Sequence, residues 1–273
     1  MSLLCSLVCA TLLGTAAYGE TKPAQPLAIG ETFTIQSEVL DEQRRINVYR
    51  PSVYGSSPDD RLPVLYMPDG GVAEDFIHIA GLVQVLVGNG TMRPFLLVGI
   101  ENTERRRDLT GPTEKAEDRK IAPRVGGSAK FRTFLRKELM PEVEKRYRTT
   151  SERAIVGESL AGLFVIETLL LEPELFDTFI AFDPSLWWND EALVKRAGQQ
   201  LRKKLYAKKT LFLATSNEPG IVASTQRLAK VLSTGDGERM QWRYEPMPEE
   251  THATIYHPAA LRAFRALFAP VSR

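Results

Sequence analysis

The chain has 273 residues, with 35 basic against 34 acidic side chains, 43% hydrophobic and 25% charged residues. Those proportions are ordinary for a globular domain and exclude disorder, a collagen repeat, a coiled coil and a disulfide-dense miniprotein. The near-neutral balance leaves no electrostatic footprint for nucleic acid, and beyond the N-terminus no stretch has the roughly 20 apolar residues of a membrane-spanning helix.

Residues 1–19 read as a separate object. An apolar run from Leu3 to Leu13 leads into the small residues Ala17 and Gly19. That pattern predicts a signal segment cleaved before Glu20, although its only positive charge is the free amine. A single domain over 20–273 is then expected in a periplasmic or secreted protein, with no stable membrane insertion after cleavage. Both cysteines, Cys5 and Cys9, lie in the segment. A mature chain would have no disulfide, thiol nucleophile or cysteine-based zinc site.

The segments 31–40 and 43–53 alternate apolar and polar residues around Asp41 and Glu42, which predicts an antiparallel hairpin. LPVLYMPDGG (62–71) is a continuous apolar run ending in Pro, Asp and two Gly, as in a strand buried on both faces. A helix over 73–87 and a second buried strand over 93–102 follow. Residues 104–128 are polar, with two Pro and three Gly, and form a long loop. Residues 130–148 make an amphipathic helix with Pro141 inside it. Strands at 153–159, 176–185, 210–219 and 240–250 then alternate with helices at 160–173, 190–206, 221–234 and 258–268. The alternation implies an α/β fold: a mostly parallel central sheet with an antiparallel N-terminal hairpin and helices on both faces.

Ligands of such sheets bind beyond the C-terminal strand ends. After the 153–159 strand comes Gly157-Glu158-Ser159-Leu160-Ala161. This is a G-x-S-x-G elbow with Ala in the last place, a sharp turn that exposes a nucleophilic serine and needs small flanking residues. Without catalysis, the same serine would simply cap the helix. A serine hydroxyl needs a base. Of the three histidines, His78 precedes the serine, and His257 adjoins Pro258 at a helix start. His252, in the loop after the last strand, suits the chain order Ser…acid…His. Glu218 ends the strand before that one and is the expected acid, with Asp183 one strand earlier as its rival. The expected oxyanion donors are the backbone N–H of Leu160 and that of Gly70 or Gly71, in a turn organised by Asp69.

PVLYMPDGG, VGIENTERRRDLT, GGSAKFRTFLRKELMPEVEKRY, VGESLAGLF, FDPSLWWND and THATIYHPAALRAF occur in order between about residues 31 and 268. Together they resemble the esterase branch of the α/β hydrolases that includes the siderophore esterases opening enterobactin-type trilactones, with esterase D and the mycolyltransferases nearby. The resemblance implies the α/β-hydrolase fold, Ser159 as nucleophile and His252 as base. It leaves the acid open, since some siderophore esterases work as a Ser–His pair. Ala161 departs from the family's usual glycine and crowds the elbow.

Arg105, Arg106 and Arg107 follow a strand end at the same rim. They would bind an anionic or catecholate group, or else form a solvated run paired with Glu104 and Asp108. Trp187 and Trp188 would wall an aromatic acyl pocket, or else pack the core. The expected function is hydrolysis of a small-molecule carboxylic ester through an acyl-enzyme, with neither metal nor organic cofactor implied. Acyl transfer to an alcohol, and a binding protein that no longer turns over, are the alternatives.

Overall fold

A computed structural model describes residues 24–55, 57, 59–203, 206–234 and 240–270, so the expected signal segment lies outside the described residues. Eight strands form one sheet: β1 (Glu31–Ser37), β2 (Glu42–Tyr49), β3 (Leu62–Pro68), β4 (Leu96–Ile100), β5 (Thr149–Glu158), β6 (Thr178–Phe182), β7 (Thr210–Thr215) and β8 (Gln241–Pro246). Their spatial order is β1-β2-β4-β3-β5-β6-β7-β8. β1 pairs antiparallel with β2, and β2 with β4; every other pairing is parallel. β3, β4 and β6 are buried along their whole length, as their unbroken apolar runs require. The hairpin turn places Asp41 at φ 56°, a left-handed conformation that Asp tolerates better than most residues.

Helices cover both faces. α1 (Phe76–Gly88) and α9 (Tyr256–Leu267) bury Ile79, Val83, Ala260 and Phe264 in one apolar layer. The opposite layer takes Phe131 and Phe134 of α4 (Ser128–Phe134), Val143 of α5 (Met140–Arg146) and Phe164 of α6 (Leu160–Leu171). It also takes Val194 of α7 (Trp188–Lys203) and Leu228 of α8 (Pro219–Leu232). Among the described residues no helix is long and apolar enough to cross a membrane.

Two segments differ from expectation. The helix over 130–148 is interrupted by a π-helical turn, Leu135–Leu139, just before Pro141. Proline cannot donate to the helix ladder and its ring crowds the preceding turn, and a widened turn at that place removes the conflict. The turn also presents Glu138 to the β1–β2 connection, where it accepts bonds from Ser37 Oγ (2.5 Å) and from the N–H groups of Glu38 and Val39 (3.0 Å each). The 104–128 loop is more ordered than its composition implies. It contains the short helices α2 (Arg105–Asp108) and α3 (Ala116–Lys120). Asp118 anchors it by accepting from Thr113 Oγ1 (2.6 Å) and from the Asn189 N–H (2.8 Å).

Candidate active site

Ser159 sits between β5 and α6 with φ 59° and ψ −118°. A non-glycine residue held there is strained, as expected of a side chain that a turn thrusts outward. The turn also explains its small neighbours. A Cβ on Gly157 would lie 2.7 Å from Ala161, so the fully buried Ala161 is accommodated because position 157 carries no side chain.

His252 comes back over this end of the sheet from the loop after β8, a loop pinned by the Asn217 N–H to the Glu250 carbonyl at 3.0 Å. Its Nε2 lies 3.1 Å from Ser159 Oγ, and its Nδ1 lies 2.9 Å from Asp183 Oδ2. Asp183 is fully buried and accepts from the Ser216 N–H at 2.6 Å and Ser216 Oγ at 2.5 Å. Two donors besides the imidazole therefore hold the carboxylate in place. The hydrogen bond from Asp183 raises the His252 pKa above its ordinary 6.5, against the opposing effect of partial burial.

The carboxylate facing the histidine is thus Asp183 and not Glu218. The reason is strand order. β6 is the immediate neighbour of β5, with Glu158 opposite Phe182, so the residue after Phe182 lies beside Ser159. β7 is one strand further out, about 4.8 Å more distant. Glu218 is exposed there as the residue preceding α8.

A second carboxyl, which the sequence reading passed over, also faces the imidazole. Glu158 Oε1 lies 3.2 Å from His252 Nδ1 and has no hydrogen-bond partner among the described residues. Burial pushes the Glu158 carboxyl up to about 8, a rise that the Asp183 and Asp69 carboxylates reinforce and that His252 and Arg105 oppose. Its signal in the sequence was a carboxylate directly preceding the elbow serine. Glu158, Asp183 and His252 each offer a ligand atom within 4.8 Å of the others, and they are the donors here that a cation would find.

Of the expected oxyanion donors, Leu160 opens α6, where a backbone N–H has no partner within the helix. Gly70 is a correction: its N–H donates to the Ile100 carbonyl at 3.0 Å and is committed to the fold. Glycine is needed there because a Cβ would lie 2.2 Å from the Ile100 nitrogen. The Gly71 N–H donates to Glu74 Oε2 at 2.6 Å, so a substrate oxygen would have to displace that carboxylate. Asp69 does organise the turn. It stands at φ 58°, its carbonyl takes the Asp75 N–H, and its side chain takes Asn102 Nδ2 at 2.5 Å.

The three arginines are not equivalent. Arg105 grips Asp69 through Nε (2.7 Å) and Nη2 (2.8 Å). Arg107 is tied to Glu42 and Asp108, both at 2.7 Å. Only Arg106 of the three is exposed, and it has no acidic partner among the described residues. The tryptophans also divide. Trp188 is buried and donates from Nε1 to the Gly111 carbonyl at 2.8 Å. It borders a recess shared with Pro112, Leu163 and Leu193 that none of Ser159, His252 and Asp183 lines, whereas Trp187 is 40% exposed.

Comparison with known proteins agrees with this geometry. The chain is 31% identical to the ferri-bacillibactin esterase of Bacillus subtilis over 176 residues, 57% of this chain and 59% of that protein. It is 29% identical to the siderophore triacetylfusarinine C esterase of Aspergillus fumigatus over 192 residues, 66% of this chain and 63% of that protein. The matches thus span about three fifths of those two relatives' lengths. Among solved structures, an IroE-like serine hydrolase from Shewanella oneidensis superposes with a TM-score of 0.76 at 28% identity, covering 88% of this chain and 80% of that one. The BES protein from Bacillus cereus superposes with a TM-score of 0.77 at 21% identity, covering 92% of this chain and 100% of that one, and shares the fold. The family model described as "Putative esterase" matches residues 37–255, and the chain belongs to that family, on an α/β-hydrolase fold.

Proposed function

We propose that the protein is a serine esterase in which Ser159 attacks an ester carbonyl, His252 moves the proton and Asp183 orients the imidazole. The observation that carries this is the relay from Ser159 Oγ through His252 to Asp183, at 3.1 Å and 2.9 Å, on a strained elbow. His252 Nε2 takes the Ser159 proton as the hydroxyl oxygen bonds to the carbonyl carbon, and returns it to the departing alkoxide. Water then enters by the same route, giving its proton to His252 as it displaces the acyl group from Ser159. The Leu160 N–H faces the developing oxyanion, joined by Gly71 once Glu74 yields. Asp183 keeps Nδ1 protonated and stabilises the imidazolium.

For substrate class, the names of the relatives favour an ester within a siderophore. Export remains part of the proposal, resting on the composition of residues 1–19. The decisive experiment combines fluorophosphonate labelling with a panel of short aryl esters and ferric and iron-free trilactone siderophores. Labelling at Ser159 and turnover of a siderophore ester are expected; a protein that neither labels nor hydrolyses any ester would refute the proposal. The mass of the exported protein tests cleavage before Glu20.

A further inference from the structure

Two of the chain's three histidines meet outside the catalytic relay. His78 belongs to α1 and His257 to the first turn of α9, 179 residues apart in sequence, yet their Nδ1 atoms lie 3.3 Å from each other. His257 is exposed and His78 partly so, which leaves the pair open to solutes. The His78 ring is fixed on two sides. Its Nε2 lies 3.1 Å from Asp75 Oδ1, and its face or edge meets the buried Tyr256 ring at a centroid distance of 5.1 Å and an interplanar angle of 87°.

The Asp75 contact sets the tautomer. A carboxylate accepts only, so a neutral His78 carries its proton on Nε2 and has its lone pair on Nδ1. His257 Nδ1–H then donates to that lone pair. Partial burial and the nearby His78 lower the His257 pKa, which keeps its imidazole neutral. The arrangement has the features of a metal-binding histidine whose second nitrogen is held by a carboxylate. The spacing fits as well. A cation bonded at about 2.05 Å to two nitrogens 3.3 Å apart subtends about 107°, close to the tetrahedral angle that zinc adopts.

We propose that His78 and His257 form a binding site for a borderline divalent cation of the zinc type, with Asp75 positioning His78 and water completing the coordination. On binding, His257 moves its proton from Nδ1 to the solvent-facing Nε2, and both Nδ1 lone pairs turn to the cation. No proton is released, and the hydrogen bond between the rings is replaced by two metal–nitrogen bonds. Since the ligands come from two helices, the site exists only when α1 and α9 are packed, so the cation stabilises the fold by mass action.

The test is calorimetric titration of the untagged full chain with zinc chloride, and of its variants, beside thermal melts with and without the salt. One zinc per chain and a higher melting temperature are expected for the unaltered protein. His78→Ala and His257→Ala should each weaken binding at least tenfold and abolish the thermal shift, with native circular dichroism. Asp75→Asn should weaken binding by about ten- to a hundredfold while keeping the stoichiometry. His252→Ala should leave binding within about twofold, which separates this site from Glu158, Asp183 and His252. Binding that survives loss of His78 or His257, binding that vanishes with His252, or no saturable uptake up to about 1 mM zinc would each overturn the proposal.

Discussion

Replacing Asp183 by Asn should cost much less than the loss of an ordinary triad acid, because Glu158 faces the same imidazole nitrogen. Asn suits the site: position 183 stands at φ 41°, where Asn is among the few tolerated side chains. In a triad with one acid, the Asp-to-Asn change lowers kcat by about 10⁴-fold, since the imidazole loses its tautomer. Here Glu158 Oε1 is 3.2 Å from Nδ1, only 0.3 Å further than Asp183 Oδ2 at 2.9 Å. The Asp183 charge helps to hold the Glu158 carboxyl up near 8, so removing that charge favours ionisation of Glu158 just when an acceptor is missing. We expect Asp183→Asn to retain activity within about 10²-fold of the unaltered enzyme and the double variant with Glu158→Gln to fall by about 10⁴-fold. Glu158→Gln alone should lose less than about threefold, so the cycle has a coupling of roughly 2–3 kcal/mol. The assay is kcat/KM for 4-nitrophenyl acetate at pH 8, with circular dichroism to verify folding. If Asp183→Asn already falls by the full factor and the double variant is no worse, Glu158 gives His252 no support.

Ser159→Ala and His252→Ala should each lower kcat for short aryl esters by at least about 10³-fold, read in the same assay on folded protein. The pH profile should show an acid limb above 6.5, because the base must be neutral and Asp183 raises the His252 pKa; Asp183→Asn should move that limb to lower pH. By linkage, the stabilisation from protonated His252 is fully present below pH 6.5 and is lost as pH rises through the folded-state value, which chemical denaturation of the protein and of His252→Ala across pH 5–9 would reveal. Arg106→Gln should lower kcat/KM for an acidic or catecholate ester by about ten- to a hundredfold and spare a neutral acetyl ester. Arg105→Gln should instead lower the melting temperature and affect both esters, as it strips Asp69, a 5% exposed carboxylate, of its two-pronged partner.

Local patterns foretold the elements that depend on neighbouring residues alone. The unbroken apolar runs of β3 and β4, the elbow around Ser159 and the late His252 were all legible in this way. What depends on the lateral order of strands was not. Glu218 and Asp183 both follow strand ends, and only the pairing of β6 directly against β5 brings Asp183 beside the serine. The oxyanion turn misled for a related reason. Two consecutive glycines advertise close backbone approach, but at Gly70 the approaching group is the neighbouring strand at Ile100. In the same way, the arginine run looked uniform until Glu42, distant in sequence, and Asp69 were seen to claim two of its three members.

The widened turn at Leu135–Leu139 is in effect one residue too many, spliced into a helix and kept there. Removing a residue from it would let the segment close as a regular helix and would rotate everything after it by about 100°. Pro141 would then break a ladder it now avoids, and Val143 would swing out of the apolar layer it shares with Phe131 and Phe134. Glu138 would leave the three groups it holds on the hairpin. Chain length, proline and glutamate here form one linked character, and relatives that lack the extra residue are expected to have lost Pro141 and Glu138 with it.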